Sequence, residues 1–387
     1  MQSQLSAQPL AEFIRREIEA KGPVTVEQFM AWALYHPEHG YYMTGPNIGP
    51  RGDFTTSPEA SPAFGKLLTR HVADVDALLE YPPAFDIVEC GPGRGTLAAH
   101  LLEELEAKQP SLYRRSRYWL VEISPSLTQA QKELLVPKYG DRCRWAADLE
   151  AIPHAIEGAL IANEFIDAFP VHVIENRDGV LMEQYVGNGE EAGFRIYLDK
   201  PSDPALIDFL MGYEIDLQPG EQVEVNLAMQ QWLHSLGRKL ERGVAAIFDY
   251  GDTAPGRYSE ARRQGTLLGY FGGSVTSDIT AHPGKQDLTA LVDFTALKDA
   301  AEAAGLTQVC LTRQAHFLLG LGLGEPSATE AEIGRTPDIN AILEYRRGMQ
   351  ALVSMEGLGR FHVSLLSKGI DPERARANLS GLRYSSL

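Results

Sequence analysis

A turn between a short apolar run and an amphipathic segment is the sequence feature that most constrains the fold. The run Phe85–Cys90 predicts a strand, and Thr96–Lys108 predicts a helix after the turn. A second predicted strand, Arg117–Ile123, follows this helix. Because the order is strand, helix, strand, the chain is expected to form a parallel sheet covered by helices.

The glycines of this turn separate two classes of ligand. Gly91, Gly93 and Gly95 follow the pattern G-x-G-x-G, whereas a dinucleotide fingerprint is G-x-G-x-x-G, and Thr96 stands where its third glycine would be. Glycines let the backbone approach a ligand closely, and the following helix offers N–H groups to a polar or anionic group. The spacing therefore favours a small-molecule site and argues against NAD.

Acidic residues near the strand ends extend this prediction to a nucleoside. Glu122 closes the second strand, where a carboxylate can accept hydrogen bonds from both ribose hydroxyls. Glu89 lies directly before the turn, and Asp148 follows the third strand, from which it could reach an adenine amino group. The alternative is that Glu122 is a solvated strand end and the glycines form only a tight turn.

The rest of the chain predicts two additions to the α/β sheet, a helical N-terminal region and an antiparallel insertion. From Leu10 to Leu79 the pattern predicts helices, interrupted at 41–59 by a Gly/Pro-rich stretch of the kind that forms binding loops. Short alternating runs at 171–198 predict an antiparallel insertion, and Phe361–Leu366 predicts a last strand at the sheet edge. The expected division is a helical N-terminal region with a covering loop, 1–80, and an α/β domain, 81–387, with a β insertion at about 171–200.

The acidic composition excludes one class of partner. The 387 residues include 52 Asp and Glu against 35 Lys and Arg, a formal net charge of −17, whereas general nucleic-acid binding needs a basic face. Three separated cysteines, Cys90, Cys143 and Cys310, favour a reducing compartment. Residues 1–22 predict an amphipathic helix rather than a targeting sequence, and no apolar run is long enough to span a bilayer. We expect a soluble, cytoplasmic protein.

Seven sequence blocks, spread over nearly the whole chain, resemble one known family. They are His36–Tyr42, Arg51–Glu59, Glu89–Leu97, Ala162–Val171, Asp249–Gly251, Gln286–Thr289 and Val292–Phe294. They resemble the MidA family of S-adenosylmethionine-dependent methyltransferases, whose mitochondrial members methylate an arginine on a subunit of respiratory complex I during its assembly. The resemblance implies a seven-stranded Rossmann-like methyltransferase sheet and S-adenosyl-L-methionine as cofactor.

Two positions depart from the family pattern. Gly269–Ser274 stands where basic and histidine-rich residues are expected, so any substrate contact of that segment is open. Ser57 replaces a small apolar residue before Pro58, which is a mild change.

The candidate catalytic residues follow the fourth predicted strand, at the edge where open α/β sheets bind ligands. Methyl transfer to arginine needs carboxylates that orient a guanidinium, because arginine is not deprotonated by an ordinary side chain. Glu164 is the first candidate for this acceptor clamp and Asp167 the second, while Asn163 is assigned to the methionine end of the cofactor. The alternative role of these residues is to cap the next helix.

The remaining candidates form two sets, one for the cofactor and one for the substrate, and no metal site is expected. The predicted cofactor-binding residues are Glu89, Gly91, Gly93, Gly95, Thr96, Glu122, Asp148 and Asn163. The predicted substrate-binding residues are Asp53, Phe54, Ser57 and Glu59, in a loop expected to fold over the cofactor, and Tyr250 after the fifth strand. The alternatives are a surface Ω-loop and a buried aromatic at a strand end. His36 and His39 lack the H-E-x-x-H zinc pattern, so no metal is expected.

We predict a protein methyltransferase, with arginine N-methylation of a protein partner, resembling a complex I subunit, as the reaction that the family implies. A non-catalytic cofactor-binding assembly factor and a small-molecule methyltransferase are the alternatives. The acceptor clamp Glu164 beside an intact glycine turn favours the enzyme, and an acidic surface would attract a basic target. A homodimer formed through the antiparallel insertion is a further expectation.

Overall fold

The computed structural model describes residues 9–45, 49, 55–190, 193–325 and 339–385, which form two compact units. The first unit contains the described residues of Met1–Asn47, Ile166–Trp232 and Gly251–Leu297. The second contains those of Ile48–Phe165, Leu233–Tyr250 and Lys298–Leu387. The boundary expected at residue 80, as a division between independently organised parts, stays a prediction.

The described helices and strands are numbered in chain order. The helices are α1 Pro9–Lys21, α2 Val26–Tyr35, α3 Ser57–Ala60, α4 Pro62–Leu78, α5 Thr96–Lys108, α6 Pro110–Arg115, α7 Pro125–Tyr139, α8 Pro204–Gly212, α9 Leu227–Lys239, α10 Ala254–Arg257, α11 Phe294–Ala303, α12 Gln314–Gly320, α13 Ile339–Val353 and α14 Pro372–Asn378. The strands are β1 Val24–Thr25, β2 Phe85–Cys90, β3 Ser116–Val121, β4 Cys143–Ala146, β5 Ile156–Asn163, β6 His172–Arg177, β7 Val180–Asn188, β8 Phe194–Asp199, β9 Gln222–Val225, β10 Leu240–Asp249, β11 Gly251–Asp252, β12 Leu268–Phe271, β13 Ser274–Thr276, β14 Asp287–Thr289, β15 Val292–Asp293, β16 Thr307–Arg313 and β17 His362–Lys368.

The second unit is built on a seven-stranded sheet in the order β16-β17-β10-β5-β2-β3-β4. The strands from β10 to β4 run parallel, and β17 runs antiparallel to both β10 and β16. The predicted seven-stranded α/β fold is confirmed. The predicted edge position of the last strand is wrong, because β17 lies between two partners and β16 forms the edge. Six of its seven residues are buried, which is typical of an inner strand.

Apolar residues fix this sheet and leave its strand ends in defined positions. Every residue of β2 is buried, as expected for a parallel strand covered on both faces. Phe64 of α4 packs on Phe248 of β10 with ring centroids 5.4 Å apart, and Leu101 of α5 is fully buried. Each such side chain contributes roughly 1.5–3 kcal/mol relative to leaving it exposed. The parallel strands therefore present their carboxyl ends together at one edge.

The first unit contains the predicted antiparallel insertion. Its main sheet has the order β1-β7-β6-β9, and β8 also pairs with β7. Asp178 and Gly179 join β6 to β7 with φ values of 55° and 90°, the left-handed backbone that a two-residue Asp-Gly hairpin turn requires. The insertion is confirmed. Strand β1, from the N-terminal region, also joins its sheet, and this was not predicted because a strand of two residues leaves no pattern in the sequence.

The segment that departs from the family pattern forms a small hairpin in the first unit. Tyr270 of β12 pairs with Val275 of β13, and Gly272 and Gly273 turn the chain with φ values of 58° and 74°. Strand β14 pairs with the other side of β12. Among the helices of the described part of the chain, none has the length and apolar character that crossing a membrane requires.

Candidate functional site at the carboxyl edge of the parallel strands

The glycine turn of the second unit has a backbone that only glycine adopts easily. Gly91, Gly93 and Gly95 all have positive φ, at 65°, 53° and 84°. A Cβ atom at Gly91 would lie 2.6 Å from the ring of Phe165, and the N–H of Gly91 donates to the carbonyl of Val121 at 3.1 Å. Gly95 is the N-cap of α5, so the turn leads directly into a helix N-terminus, the element that binds polar and anionic groups.

Glu122 lies beside this turn, after β3, and its carboxylate is held in place. One oxygen accepts the N–H of Ser124 at 2.8 Å, and the other accepts the side-chain amide of Gln131 at 3.2 Å. Burial raises the pKa of Glu122 to about 7, although these hydrogen bonds act in the opposite direction. The group therefore changes its charge near neutral pH.

Gln131 connects Glu122 to the glycine turn, and nothing in the sequence pattern singled it out. Its side-chain amide also donates to the carbonyl of Gly93 at 2.7 Å, and its carbonyl oxygen accepts the indole N–H of Trp145 at 2.9 Å. The side chain is fully buried in α7. The i+9 separation from Glu122 has no periodic signature, which is why this positioning residue was missed.

Glu89 and Asp148 differ in exposure. Glu89 is only 3% exposed at the end of β2 and accepts the hydroxyl of Tyr118 at 2.6 Å. Burial, more than any neighbouring charge, raises the pKa of Glu89 to about 8. Asp148 is exposed, and one carboxylate oxygen accepts the N–H of Ala151 at 2.8 Å.

Asn163 and Glu164 stand together where β5 ends. Glu164 has a φ of 49°, a left-handed backbone that is uncommon for a residue with a long side chain. Its N–H donates to the carbonyl of Phe248 at 2.8 Å, which holds the bend against β10. Its carboxylate accepts the side-chain amide of Asn163 at 3.0 Å. The carbonyl oxygen of Asn163 is buried and has no hydrogen-bond partner among the described residues.

The short helix α3 joins the glycine turn to Glu164. The N–H of Ser57 donates to the Glu164 carboxylate at 3.1 Å, and Glu59 accepts the hydroxyl of Thr96 at 2.5 Å. The hydroxyl of Ser57 also donates to the side-chain oxygen of Gln314 at 3.0 Å, another contact that the sequence did not predict. Ser57 and Glu59 are thus brought to the same edge as the glycine turn.

The predicted loop residues Asp53 and Phe54 lie outside the described residues. Asp249, fully buried at the end of β10, accepts the N–H groups of Phe165 at 3.3 Å and Tyr250 at 2.9 Å. The ring of Tyr250 packs on Phe361 with centroids 5.5 Å apart. Tyr250 is therefore at the carboxyl end of β10, as predicted from its position.

Asp167 belongs to the first unit, where it is buried near a pair of tyrosines. Its backbone carbonyl accepts the N–H of Ala290 at 3.0 Å. Tyr42 donates its hydroxyl to Asp287 at 2.8 Å and stacks on Tyr35 with ring centroids 5.6 Å apart. Burial, followed by the charges of Asp287 and Asp167, raises the pKa of Tyr42 well above its ordinary value.

His36 and His39, the pair considered for a metal, stack their rings with centroids 5.3 Å apart. His36 also meets the edge of Phe13 at 4.6 Å.

The edge of the second unit therefore combines a glycine turn, a helix N-terminus and an acidic residue after the second parallel strand. These are the features of an α/β protein that binds a nucleoside at the carboxyl ends of its strands. The G-x-G-x-G spacing of the turn differs from the G-x-G-x-x-G fingerprint of dinucleotide sites.

The comparison with known proteins identifies the family. Residues 67–312 match a family of S-adenosyl-L-methionine-dependent methyltransferases. This range is more than half of the chain, and the chain belongs to this family. It is thus an S-adenosyl-L-methionine-dependent methyltransferase, which confirms the family and the cofactor expected from the sequence.

Two curated relatives and one solved structure extend over nearly the whole chain. It is 30% identical to the protein arginine methyltransferase NDUFAF7 homolog, mitochondrial, of Drosophila melanogaster, over 93% of this chain and 85% of the fly protein. It is 30% identical to the mouse NDUFAF7 protein over 84% of this chain and 79% of that protein. A crystal structure of a Burkholderia thailandensis protein bound to S-adenosyl-homocysteine has a TM-score of 0.85 and 30% identity, covering 99% of this chain and 96% of the other.

Proposed function

We propose that this methyltransferase transfers a methyl group to an arginine side chain of a protein substrate. The main support is that the fly and mouse relatives, each 30% identical to this chain, are named protein arginine methyltransferases. The Glu164 carboxylate at the end of β5 supports it, because a guanidinium is oriented best by a carboxylate. By resemblance to the MidA family, a subunit like those of respiratory complex I is the first substrate to try.

The described residues fit S-adenosylmethionine. Its nucleoside would lie along the turn of Gly91, Gly93, Gly95 and Thr96, with Glu122 accepting the ribose hydroxyls and Asp148 near the adenine amino group. The buried carbonyl oxygen of Asn163, which has no hydrogen-bond partner among the described residues, suits the ammonium group of the methionine end. Glu89, buried under the turn with a pKa raised to about 8, acts by supporting Tyr118 and the turn.

The methyl group of bound S-adenosylmethionine is already activated on a sulfonium, so the protein needs neither a metal nor a strong base. Glu164 would accept N–H groups of the acceptor guanidinium and hold one nitrogen in line for attack, a role in which orientation supplies most of the rate. The N–C bond would form as the C–S bond breaks, S-adenosyl-homocysteine would leave, and the proton released by the attacking nitrogen would pass through the Glu164 carboxylate to solvent. Ser57 and Asn163 keep the Glu164 carboxylate fixed. Asp167, in the first unit, is the second candidate for a guanidinium-orienting carboxylate. Asp53, Phe54, Glu59 and Tyr250 are proposed to contact the substrate.

Label transfer tests the proposed reaction. Purified protein is incubated with methyl-labelled S-adenosylmethionine and a lysate of cells that lack it, and the label is then separated by ultrafiltration and amino-acid analysis. Label in methyl-arginine of the retained proteins supports the proposal. Label in the small-molecule filtrate would point to a small-molecule methyltransferase. Cofactor binding without any transfer would point to a non-catalytic assembly factor.

The proposed role of Glu122 predicts that cofactor binding depends on pH. Ribose hydroxyls donate to the ionised carboxylate, whereas burial holds its pKa at about 7 in the free protein. Binding therefore releases a proton below that pKa, and affinity for S-adenosyl-homocysteine is expected to rise from about pH 6 to about pH 8, by up to about tenfold per pH unit below 7. Calorimetry in buffers of different ionisation enthalpy measures both the affinity and the number of protons released on binding.

The control for this prediction is Glu122→Gln, which cannot ionise. It should bind more weakly at high pH and show a flatter profile, while Glu106→Gln, at an exposed position of α5, keeps the wild-type slope. Ionisation of the ligand itself is common to all three proteins and cancels in the comparison. An unchanged slope in Glu122→Gln would exclude Glu122 from ribose binding.

Cellular location and oligomeric state are two further proposals. Location in the cytoplasm is supported by three cysteines, all free and buried, which suit a reducing compartment, whereas the relatives are named mitochondrial. Homodimerisation is proposed through the antiparallel sheet of the insertion. Cell fractionation and light scattering of the purified protein measure these properties.

A further inference from the structure

The first unit has a cavity that the methyl-transfer chemistry does not use. It measures about 460 Å³ and is lined by residues from two segments, 213–223 and 254–263. This volume falls in the range of ordinary ligand sites, which is roughly 300–1,000 Å³. Tyr213 and Tyr258 contribute aromatic surface, and Ile215 and Leu217 contribute aliphatic surface. The walls are therefore amphipathic.

One charged side chain of the wall has an unused donor. Arg257 is 2% exposed and pairs with Glu224 through a terminal nitrogen. Its Nε atom is buried and has no hydrogen-bond partner among the described residues. The Nε atom has almost no accessible surface, so a ligand in the cavity does not reach it, and the guanidinium charge is already matched by Glu224.

A second, smaller cavity also borders Arg257. It has a volume of about 20 Å³, which is enough for a single water molecule. The larger cavity could take several amino-acid residues, so it is the one suited to a ligand.

The charges around the larger cavity favour a cationic ligand. Its three arginines are each matched by a carboxylate: Arg257 by Glu224, Arg262 by Asp252 at 3.1 Å, and Arg263 by Glu221 at 2.9 Å. Glu214 and Asp216 are exposed at the wall, and in the described part of the chain neither forms an ion pair. An anion would meet no unmatched positive charge, whereas a cation would meet two unmatched carboxylates.

We propose that this cavity binds a basic segment of the protein substrate, other than the arginine that is methylated. Lysine or arginine side chains of the segment pair with Glu214 and Asp216, and apolar side chains pack on Tyr213 and Tyr258. This inference rests on the proposed function, because it assigns the cavity to the substrate of that reaction. It adds a docking site that selects the partner by charge.

Binding of a defined peptide tests this docking site without methyl transfer. The probe is a fluorescein-labelled peptide of four lysines, two leucines and four glycines, added to the full chain with S-adenosyl-homocysteine present. Anisotropy is compared for wild type, for Glu214→Lys with Asp216→Lys, and for Glu19→Lys with Glu106→Lys. Both double variants change the net charge equally, and the second pair lies at exposed positions of α1 and α5. Ile215→Trp fills the cavity without a change of charge.

The docking pair is expected to weaken peptide binding by about tenfold or more, and the control pair by less than about threefold through the general field. Ile215→Trp should also weaken binding, although all charges remain. Equal losses in the two double variants, or tighter binding of a matched glutamate peptide, would overturn the docking site.

The two proposals fail separately. Peptide binding that depends on Glu214 and Asp216, with no methyl-arginine formed by the wild type on any protein, would refute the proposed function and with it the assignment of the cavity to a methylation substrate. Methyl-arginine formation by the wild type with an unchanged KM for the protein substrate in the docking pair would refute only the docking site. The expected result is a KM raised about tenfold with kcat unchanged.

Discussion

Gly93→Val is expected to abolish binding of S-adenosylmethionine and S-adenosyl-homocysteine, with a loss of about 100-fold or more in affinity. The φ of 53° at Gly93 is strained for any residue with a Cβ atom and most of all for a β-branched one. The branched side chain would also stand where the backbone has to approach the ligand, and it would disturb the Gly93 carbonyl that accepts Gln131. Calorimetry with S-adenosyl-homocysteine measures the loss.

The matched control is Gly140→Val. Gly140 also has a φ of 53°, it caps the end of α7, and a Cβ atom there would meet no atom within 4 Å. This substitution imposes backbone strain on the same unit without touching the glycine turn, so it should lower the melting temperature but keep ligand affinity. Wild-type affinity in Gly93→Val, or an equal loss of affinity in both variants, would show that the ligand does not bind at the glycine turn.

Glu164→Ala is expected to lower the rate of arginine methylation by about 100-fold or more and to change cofactor affinity by less than about threefold. The carboxylate is proposed to hold the acceptor guanidinium, whereas the cofactor is held by the turn and by Glu122. Steady-state methylation of a protein substrate and calorimetry of S-adenosyl-homocysteine separate these two effects. A parallel loss of both would place Glu164 among the cofactor-binding residues.

Glu164→Gly removes the same carboxylate and also releases the backbone. Because an L-residue with φ near 50° costs roughly 1–2 kcal/mol more than glycine, the Gly variant should unfold with a free energy about 1 kcal/mol above that of the Ala variant. Both should be equally inactive. Activity retained in Glu164→Ala but lost in Glu164→Gly would show that the strained backbone, and not the carboxylate, is needed, whereas activity retained in both variants would show that neither is needed.

The local part of the fold was predictable because the signals lie close together in the chain. The bounds of β2 and α5 agree with the sequence prediction, since a buried apolar run, a glycine turn and a helical period are contiguous there. The Asp-Gly turn of the insertion is equally local. The position of β17 inside the sheet was not predictable from its own residues, because strand order depends on pairing with β10 and β16.

In the candidate site, too, local features were predictable and contacts between residues far apart in the chain were not. The position of Glu122, Asn163 and Glu164 at one edge was predictable because strand ends of a parallel sheet share that edge, whereas their roles stay predictions. Gln131, which holds both Glu122 and the Gly93 carbonyl, and Gln314, which holds Ser57, act across 9 to 257 positions in the chain and leave no pattern in it. The positive φ of Glu164 was not predictable either, because a glutamate in the sequence does not indicate a left-handed backbone.

Mass spectrometry of the methylated product tests both whether the protein methylates arginine and whether Glu164 is needed for it. Wild-type protein and Glu164→Ala are each incubated with isotopically labelled S-adenosylmethionine and a lysate that lacks the enzyme, and labelled peptides are sequenced. We expect a labelled methyl group on arginine with the wild type and, in the same time, about one hundredth of that label or less with Glu164→Ala. Label on another residue type, or equal labelling of the same arginine by both proteins, would contradict the proposed reaction and the role of Glu164.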